Sequence, residues 1–247
     1  MRRIMFGLCV LATLLGAQAR AETVMTVLVT GANRGIGLEF ARQLEARGMN
    51  VIGTARKPDE AAELRETGAR VEQLDVTDSE SLAALAARLD GVPIDMLINN
   101  AGVGGQPAAS FMDTDFEQVE ATFAVNSLGP MRVTQALMPN LEAGRHKTII
   151  QISSVMSSIE RNGGGYYGYR ASKAALNMLT RTLALELYGD GFICVLLHPG
   201  WVQTRLGGPG ARKSPEQSVA AMLDVIAGLD EGDNGRFYDY EGRPIPW

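Results

Sequence analysis

Tyr169 and Lys173 stand four residues apart in the stretch YRASK. On a helix this spacing stacks the phenol and the ammonium on one side. An ammonium beside a phenol favours the phenolate and draws the tyrosine pKa below its usual ~10. A tyrosine tuned in this way can pass a proton near neutral pH. The pair is a weak signal alone, since Tyr166 and Tyr167 show that tyrosines are frequent here. Its context sharpens it: Ser153 and Ser154 precede it, and Pro199 and Gly200 follow it, each pair at the end of an apolar run.

A second cluster lies near the start. Residues 30–37 read TGANRGIG and place Gly31, Gly35 and Gly37 between a short apolar run and a helical pattern. Glycine lets a backbone approach a pyrophosphate closely. The free N–H groups and positive dipole end of the following helix favour that anion. The bland alternative is a tight turn with no ligand, although the strand-then-helix context supports the phosphate reading. Asp75 and residues 99–102, NNAG, are polar or glycine tips of two further runs. An NAD site normally carries an acid after its second strand, where it accepts from the ribose hydroxyls. Here that place reads Thr54-Ala55-Arg56-Lys57. Arg56, with Arg34 from the glycine turn, could instead hold a 2′-phosphate through the planar guanidinium fork. Two solvated surface charges are the alternative.

The elements that must position these groups alternate. Apolar runs at 27–29, 50–55, 71–74, 94–98, 148–152, 192–197 and 236–240 predict strands. Helical patterns fill 36–47, 59–67, 78–89, 169–188 and 214–229, with Asp78 and Ser214 as caps and Pro215 at a first helical position. Residues 113–141 read as one long helical stretch that Pro130 bends. Such alternation predicts an α/β fold, a doubly wound, mostly parallel sheet with helices on both faces.

Composition agrees with one globular domain. The chain has 247 residues, 46% hydrophobic and 21% charged, so disorder and a disulfide scaffold are excluded. Two cysteines (Cys9 and Cys194) and two histidines (His146 and His198) match no metal spacing. A net charge of −5 argues against a nucleic-acid partner.

Residues 1–21 stand apart. Arg2 and Arg3, an apolar run and Ala19-Arg20-Ala21 have the layout of a secretory signal peptide. The run is short for a stable membrane span, which needs ~20 residues. The other reading starts the protein at Met25, directly before the first strand.

Taken together, TGANRGIG, NNAG, the serine pair, YRASK and HPGWVQT resemble the short-chain dehydrogenase/reductase family over about residues 25–247. The segments GWVQTRLGGPGA and YEGRPIPW are similar to a subgroup, the C-factor-like carbonyl reductases. The resemblance implies a Rossmann fold of seven strands and B-face hydride transfer with NAD(P)(H). By the same resemblance Tyr169 is the catalytic acid/base, and Ser154 hydrogen-bonds the substrate oxygen. Lys173 holds the nicotinamide ribose and tunes Tyr169, and Asn126 anchors a water of the proton relay. Asp75 and Val76 are implied as adenine contacts. Asn100, Gly102, Val202 and Thr204 are implied as further cofactor contacts, beside Gly31, Asn33, Arg34, Gly35, Ile36, Gly37, Arg56, Pro199 and Gly200. Ser154 and Tyr169 are 15 positions apart, a longer gap than the family usually shows. Residues 162–165 absorb it, and Ser153 is a rival for the serine role.

The expectation is an NADP(H)-dependent oxidoreductase that interconverts a carbonyl and an alcohol without metal, with residues 201–213 as a lid. A catalytically silent NADP-binding regulatory or signalling protein of the same fold is the alternative. Apolar residues on several faces of 113–141 and 169–188 suggest a homodimer or homotetramer. A cytoplasmic location is expected, with residues 1–24 either untranslated or no part of the fold. Periplasmic or secreted placement is the alternative.

Overall fold

A computed structural model describes residues 24–105 and 110–247. The signal-like segment 1–21 and Cys9 lie outside the described residues. Seven strands form one sheet: β1 (Thr26–Val29), β2 (Asn50–Ala55), β3 (Arg70–Gln73), β4 (Met96–Asn99), β5 (Thr148–Ile152), β6 (Ile193–His198) and β7 (Phe237–Asp239). Their order is β3-β2-β1-β4-β5-β6-β7, and every neighbouring pair is parallel. The sheet is therefore wholly parallel rather than mostly so. Its central strands are continuous apolar runs because both faces are covered.

Alternate residues feed two cores. Val27, Val29, Ile98, Ile150 and Val195 pack with Phe40 and Leu44 of α1 (Gly35–Ala46) and Met222 of α8 (Pro215–Ala227). Leu28, Leu97, Ile149 and Cys194 face the other way. They meet Leu85 of α3 (Ser79–Arg88), Val133 of α5 (Gly129–Ala136) and Leu141 of α6 (Met138–Ala143). Strand order reverses between β1 and β4, so their carboxyl ends open a crevice of the kind in which doubly wound sheets bind ligands. Asp78 caps α3 by accepting from the Glu80 N–H at 3.0 Å, and Ser214 and Gln217 close a capping box on α8.

The long helical stretch breaks where backbone chemistry demands it. Residues 113–141 become α4 (Phe116–Phe123), a π turn (Ala124–Leu128), α5 and α6. Gly129 N–H reaches back five residues to the Ala124 carbonyl. Pro130 has no N–H, so it cannot donate to the carbonyl of Asn126 four residues earlier. The 59–67 helix shortens to a 3₁₀ turn (Pro58–Glu60) and α2 (Ala62–Glu66). The fourth strand begins at Met96, since the Ile94 N–H is taken by the Asn140 carbonyl and the Asp95 N–H by that of Thr26. The longest helix among the described residues, α7 (Tyr167–Glu186), starts two residues before Tyr169, after Tyr166 at φ +50°. No helix among the described residues is long and apolar enough to cross a membrane.

Candidate active site

The glycine turn connects β1 to α1 at the crevice. Gly31 has φ +63° and Gly35 φ +56°, left-handed values that favour glycine. A Cβ on Gly37 would lie 2.4 Å from both the Asn100 amide nitrogen and the Gly31 carbonyl oxygen. Arg34, the residue before α1, supplies no capping hydrogen bond from its side chain, so no side chain of that residue stands over the first-turn N–H groups. A glycine-lined backbone turn at a helix N-terminus fits a dinucleotide pyrophosphate.

Asn100 turns its side chain inward. Its side-chain amide donates to the carbonyls of Thr30 (2.9 Å) and Gly31 (3.2 Å). It locks the turn rather than offering that amide to a ligand. Val76 is likewise turned into the core, against the backbone of Gly129, so its side chain is not presented to an adenine. Asp75 stays at the carboxyl edge. Burial opposes its ionisation, but hydrogen bonds from Thr77 N–H (2.9 Å) and Oγ1 (2.7 Å) and the charge of Arg56 hold its carboxyl below the usual range. Arg34 and Arg56 are exposed, and neither guanidinium has a hydrogen bond or ion pair among the described residues. Desolvation, then the charges of Arg205 and Arg56, depress Arg34 below its ordinary pKa. This is a cationic cluster short of an anion.

The second group converges from β5, the π turn and α7. Tyr169 lies in the first turn of α7, with its phenol beside the Ser154 hydroxyl, which favours the phenolate. Ser153 points elsewhere, donating to Asn177 Oδ1 at 2.6 Å inside the protein. Lys173 is buried, and its Nζ donates to the Ile152 carbonyl at 2.7 Å. Burial pushes the Lys173 pKa down to about 8. The Tyr169 pKa is raised, because burial outweighs the Ser154 hydrogen bond. The expected lowering by Lys173 is thus not found: the ammonium is committed to Ile152, and desolvation prevails.

Asn126 is fully buried. Its Oδ1 accepts from Val103 N–H at 2.8 Å, and its Nδ2 donates to the Val103 carbonyl at 2.9 Å and to Ser172 Oγ at 3.1 Å. The side chain is spent on clamping the loop after β4 to α7. Its main-chain carbonyl receives no hydrogen bond from residue 130, which is proline. Gly102 lies beside this clamp, with room for a Cβ only 3.3 Å from Asn126 Oδ1 and 3.7 Å from Lys173 Nζ. Pro199, Gly200, Val202 and Thr204 follow β6. Gly200 has φ +83°, the Pro199 carbonyl accepts from Ser218 Oγ at 2.7 Å, and the Val202 side chain is buried. Asn33 and Ile36 complete the turn, half-buried.

The comparisons with known proteins agree with this arrangement. The model of a family described as "short chain dehydrogenase" matches residues 25–214. The chain belongs to this family. It is similar to the NADPH-bound carbonyl reductase of chicken fatty liver at 36% identity and a TM-score of 0.84, covering 91% of this chain and 99% of that one. It is also similar to the carbonyl reductase Sniffer of D. melanogaster at 30% identity and a TM-score of 0.86, covering 91% of this chain and 100% of that one. A relative named C-signal, from Myxococcus xanthus, is 47% identical over 167 residues, 67% of this chain and 100% of its own length.

Sequence reasoning missed the supports of the family's site. Thr30, Val103, Ser172 and Asn177 carry its hydrogen bonds but have no chemistry of their own.

The buried Lys173 yields a pH-dependent stability. Its folded pKa of about 8 lies below the ~10.4 of an unfolded lysine. Between those values the unfolded chain binds more protons, so this residue's contribution to stability rises with pH. Below about pH 8 the buried ammonium costs on the order of 1–3 kcal/mol. The stability difference between wild type and Lys173→Met should therefore shift in favour of wild type as pH rises from about 8 to 10. Thermal unfolding across that range checks it; a constant difference contradicts it.

Proposed function

We propose that the protein is an NADP(H)-dependent carbonyl reductase, interconverting a carbonyl and an alcohol with Tyr169 as acid/base. The observation that carries this reading is the meeting of Ser154, Tyr169 and Lys173 at the same sheet edge as the glycine cradle. The NADP named with two solved relatives, from Burkholderia multivorans and Pseudomonas aeruginosa, supports the cofactor. When bound, NADP(H) supplies or takes the hydride, and the chain's own residues manage the oxygen and the proton. Ser154 holds the substrate oxygen. Tyr169, protonated at neutral pH as an ordinary phenol is and kept so by burial, delivers the proton as the oxygen gains charge. Lys173, with a pKa near the working range, resupplies it, fed by a water at the Asn126 carbonyl. The groups stand fixed before substrate arrives, which is largely an orientation effect.

The signalling alternative draws support from the relative named C-signal. Against it stands the complete set of Asn126, Ser154, Tyr169 and Lys173, which a binder alone does not need. The reading places the protein in the cytoplasm, where NADP(H) is available as reductant. The buried Cys194 thiol, pushed up to about 12 by burial, does not call for an oxidising compartment. Leu137 and Leu176 are buried in the core, whereas Phe116, Met178 and Leu185 are exposed on α4 and α7. A homodimer or homotetramer would cover that remaining apolar surface.

Tyr169→Phe should keep NADPH binding and lose turnover by about 10²- to 10⁴-fold. Steady-state rates on a panel of aldehydes, ketones and quinones, with a binding titration, check it; unchanged turnover overturns the proton-donor role. Arg56→Ala should weaken NADPH by about 10- to 100-fold while leaving NADH nearly unchanged. Fluorescence titrations of both cofactors decide it, and equal loss contradicts the 2′-phosphate assignment.

A further inference from the structure

The geometry points to Arg205 as a third arginine of the dinucleotide site, carried by the lid, that grips the pyrophosphate. The inference rests on the dinucleotide-binding reading above and adds a residue that neither the glycine turn nor the second strand supplies.

The lid, residues 201–213, is stiff. Val202 and Lys213 form a parallel bridge at its base. Gln203 N–H donates to the Lys213 carbonyl at 2.8 Å, and Arg212 and Lys213 N–H both donate to that of Trp201 at 3.2 Å. Trp201 Nε1 donates to the Gly207 carbonyl at 2.8 Å, and Gly208 N–H to that of Thr204 at 2.9 Å. Residues 204–206 therefore present a fixed tip.

That tip lies across the crevice. A Cβ on Gly35 would stand 3.3 Å from Thr204 Cγ2, so Thr204 rests on the start of α1. A Cβ on Gly104 would stand 2.5 Å from Leu206 Cδ1, so Leu206 rests on the loop after β4. Arg205 is held between these two contacts. It enters beside the first turn of α1, not at the end of β2 where Arg56 stands. Its guanidinium is exposed and, among the described residues, has no hydrogen bond or ion pair. Arg205 and Arg56 both act on Arg34 as like charges. Like charges gathered around Arg34 favour an anion between them. The anion that reaches the N-terminus of α1 is the pyrophosphate.

The test uses NADPH, NADH and ADP-ribose, the last carrying the pyrophosphate without nicotinamide or 2′-phosphate. Arg205→Ala should weaken all three by a similar factor, about tenfold. Arg205→Lys should recover part of the loss, because a point charge lacks the planar fork. NADPH should protect residues 201–213 from limited proteolysis in wild type and protect them less in Arg205→Ala. Unchanged affinities overturn the inference. So does a loss confined to NADPH, which would move Arg205 to the 2′-phosphate. Wild type that binds none of the three would overturn the dinucleotide reading itself, and this inference with it.

Discussion

The tips of β1 and β4 are tied together by one small group of hydrogen bonds. The Thr30 hydroxyl accepts from the N–H groups of Asn100 and Ala101, each at 3.0 Å, while the Asn100 amide returns to the carbonyls of Thr30 and Gly31. These bonds span the point where strand order reverses, which is where the crevice opens. They hold the glycine cradle at a set distance from the loop after β4. That loop is held in turn by Asn126, which binds Val103 on one side and Ser172 of α7 on the other. Ser127 donates to the Ser172 carbonyl at 2.7 Å, fixing the turn of α7 that carries Tyr169 and Lys173. A continuous chain of short polar contacts thus links the glycine turn to the stretch of α7 that carries Tyr169 and Lys173.

The energetics of the site rest on groups kept from their preferred state. Lys173 is buried with a carbonyl as its partner, where a carboxylate would stabilise its charge better. Tyr169 is desolvated, which favours the neutral phenol and so the proton-donating form. Arg34 stands near the like charges of Arg205 and Arg56, and none of the three guanidinium groups has an ion pair among the described residues. The buried Lys173 ammonium and the like charges around Arg34 cost stability in the free protein. Functional sites are where such unrelieved strain is expected.

Much of this was legible in the sequence because the signals were local. The Gly31, Gly35 and Gly37 spacing marks a turn no side chain can fill. Asp78, Ser214 and Pro215 mark helix starts, and the apolar runs mark the strands. What stayed hidden depends on distant partners. Nothing near Ser153 shows that Asn177 takes its hydroxyl, and nothing near Asn100 shows that its amide turns inward to Gly31. Pro130 signalled a bend, but the π turn before it becomes visible only once Ala124 and Gly129 are paired. The direction of the Tyr169 shift could not be read from a four-residue spacing, because burial decides it.

The central claim is that the site moves a hydride to a carbonyl carbon while its own residues supply the proton. The most direct measurement offers the protein NADPH deuterated at the pro-S (B-face) hydrogen of nicotinamide C4, with a panel of aldehydes, ketones and quinones, and locates the label by mass spectrometry. The account predicts an alcohol carrying deuterium on the former carbonyl carbon. NADPH that binds without any label reaching a carbonyl, or label transferred only from the pro-R position, would contradict it.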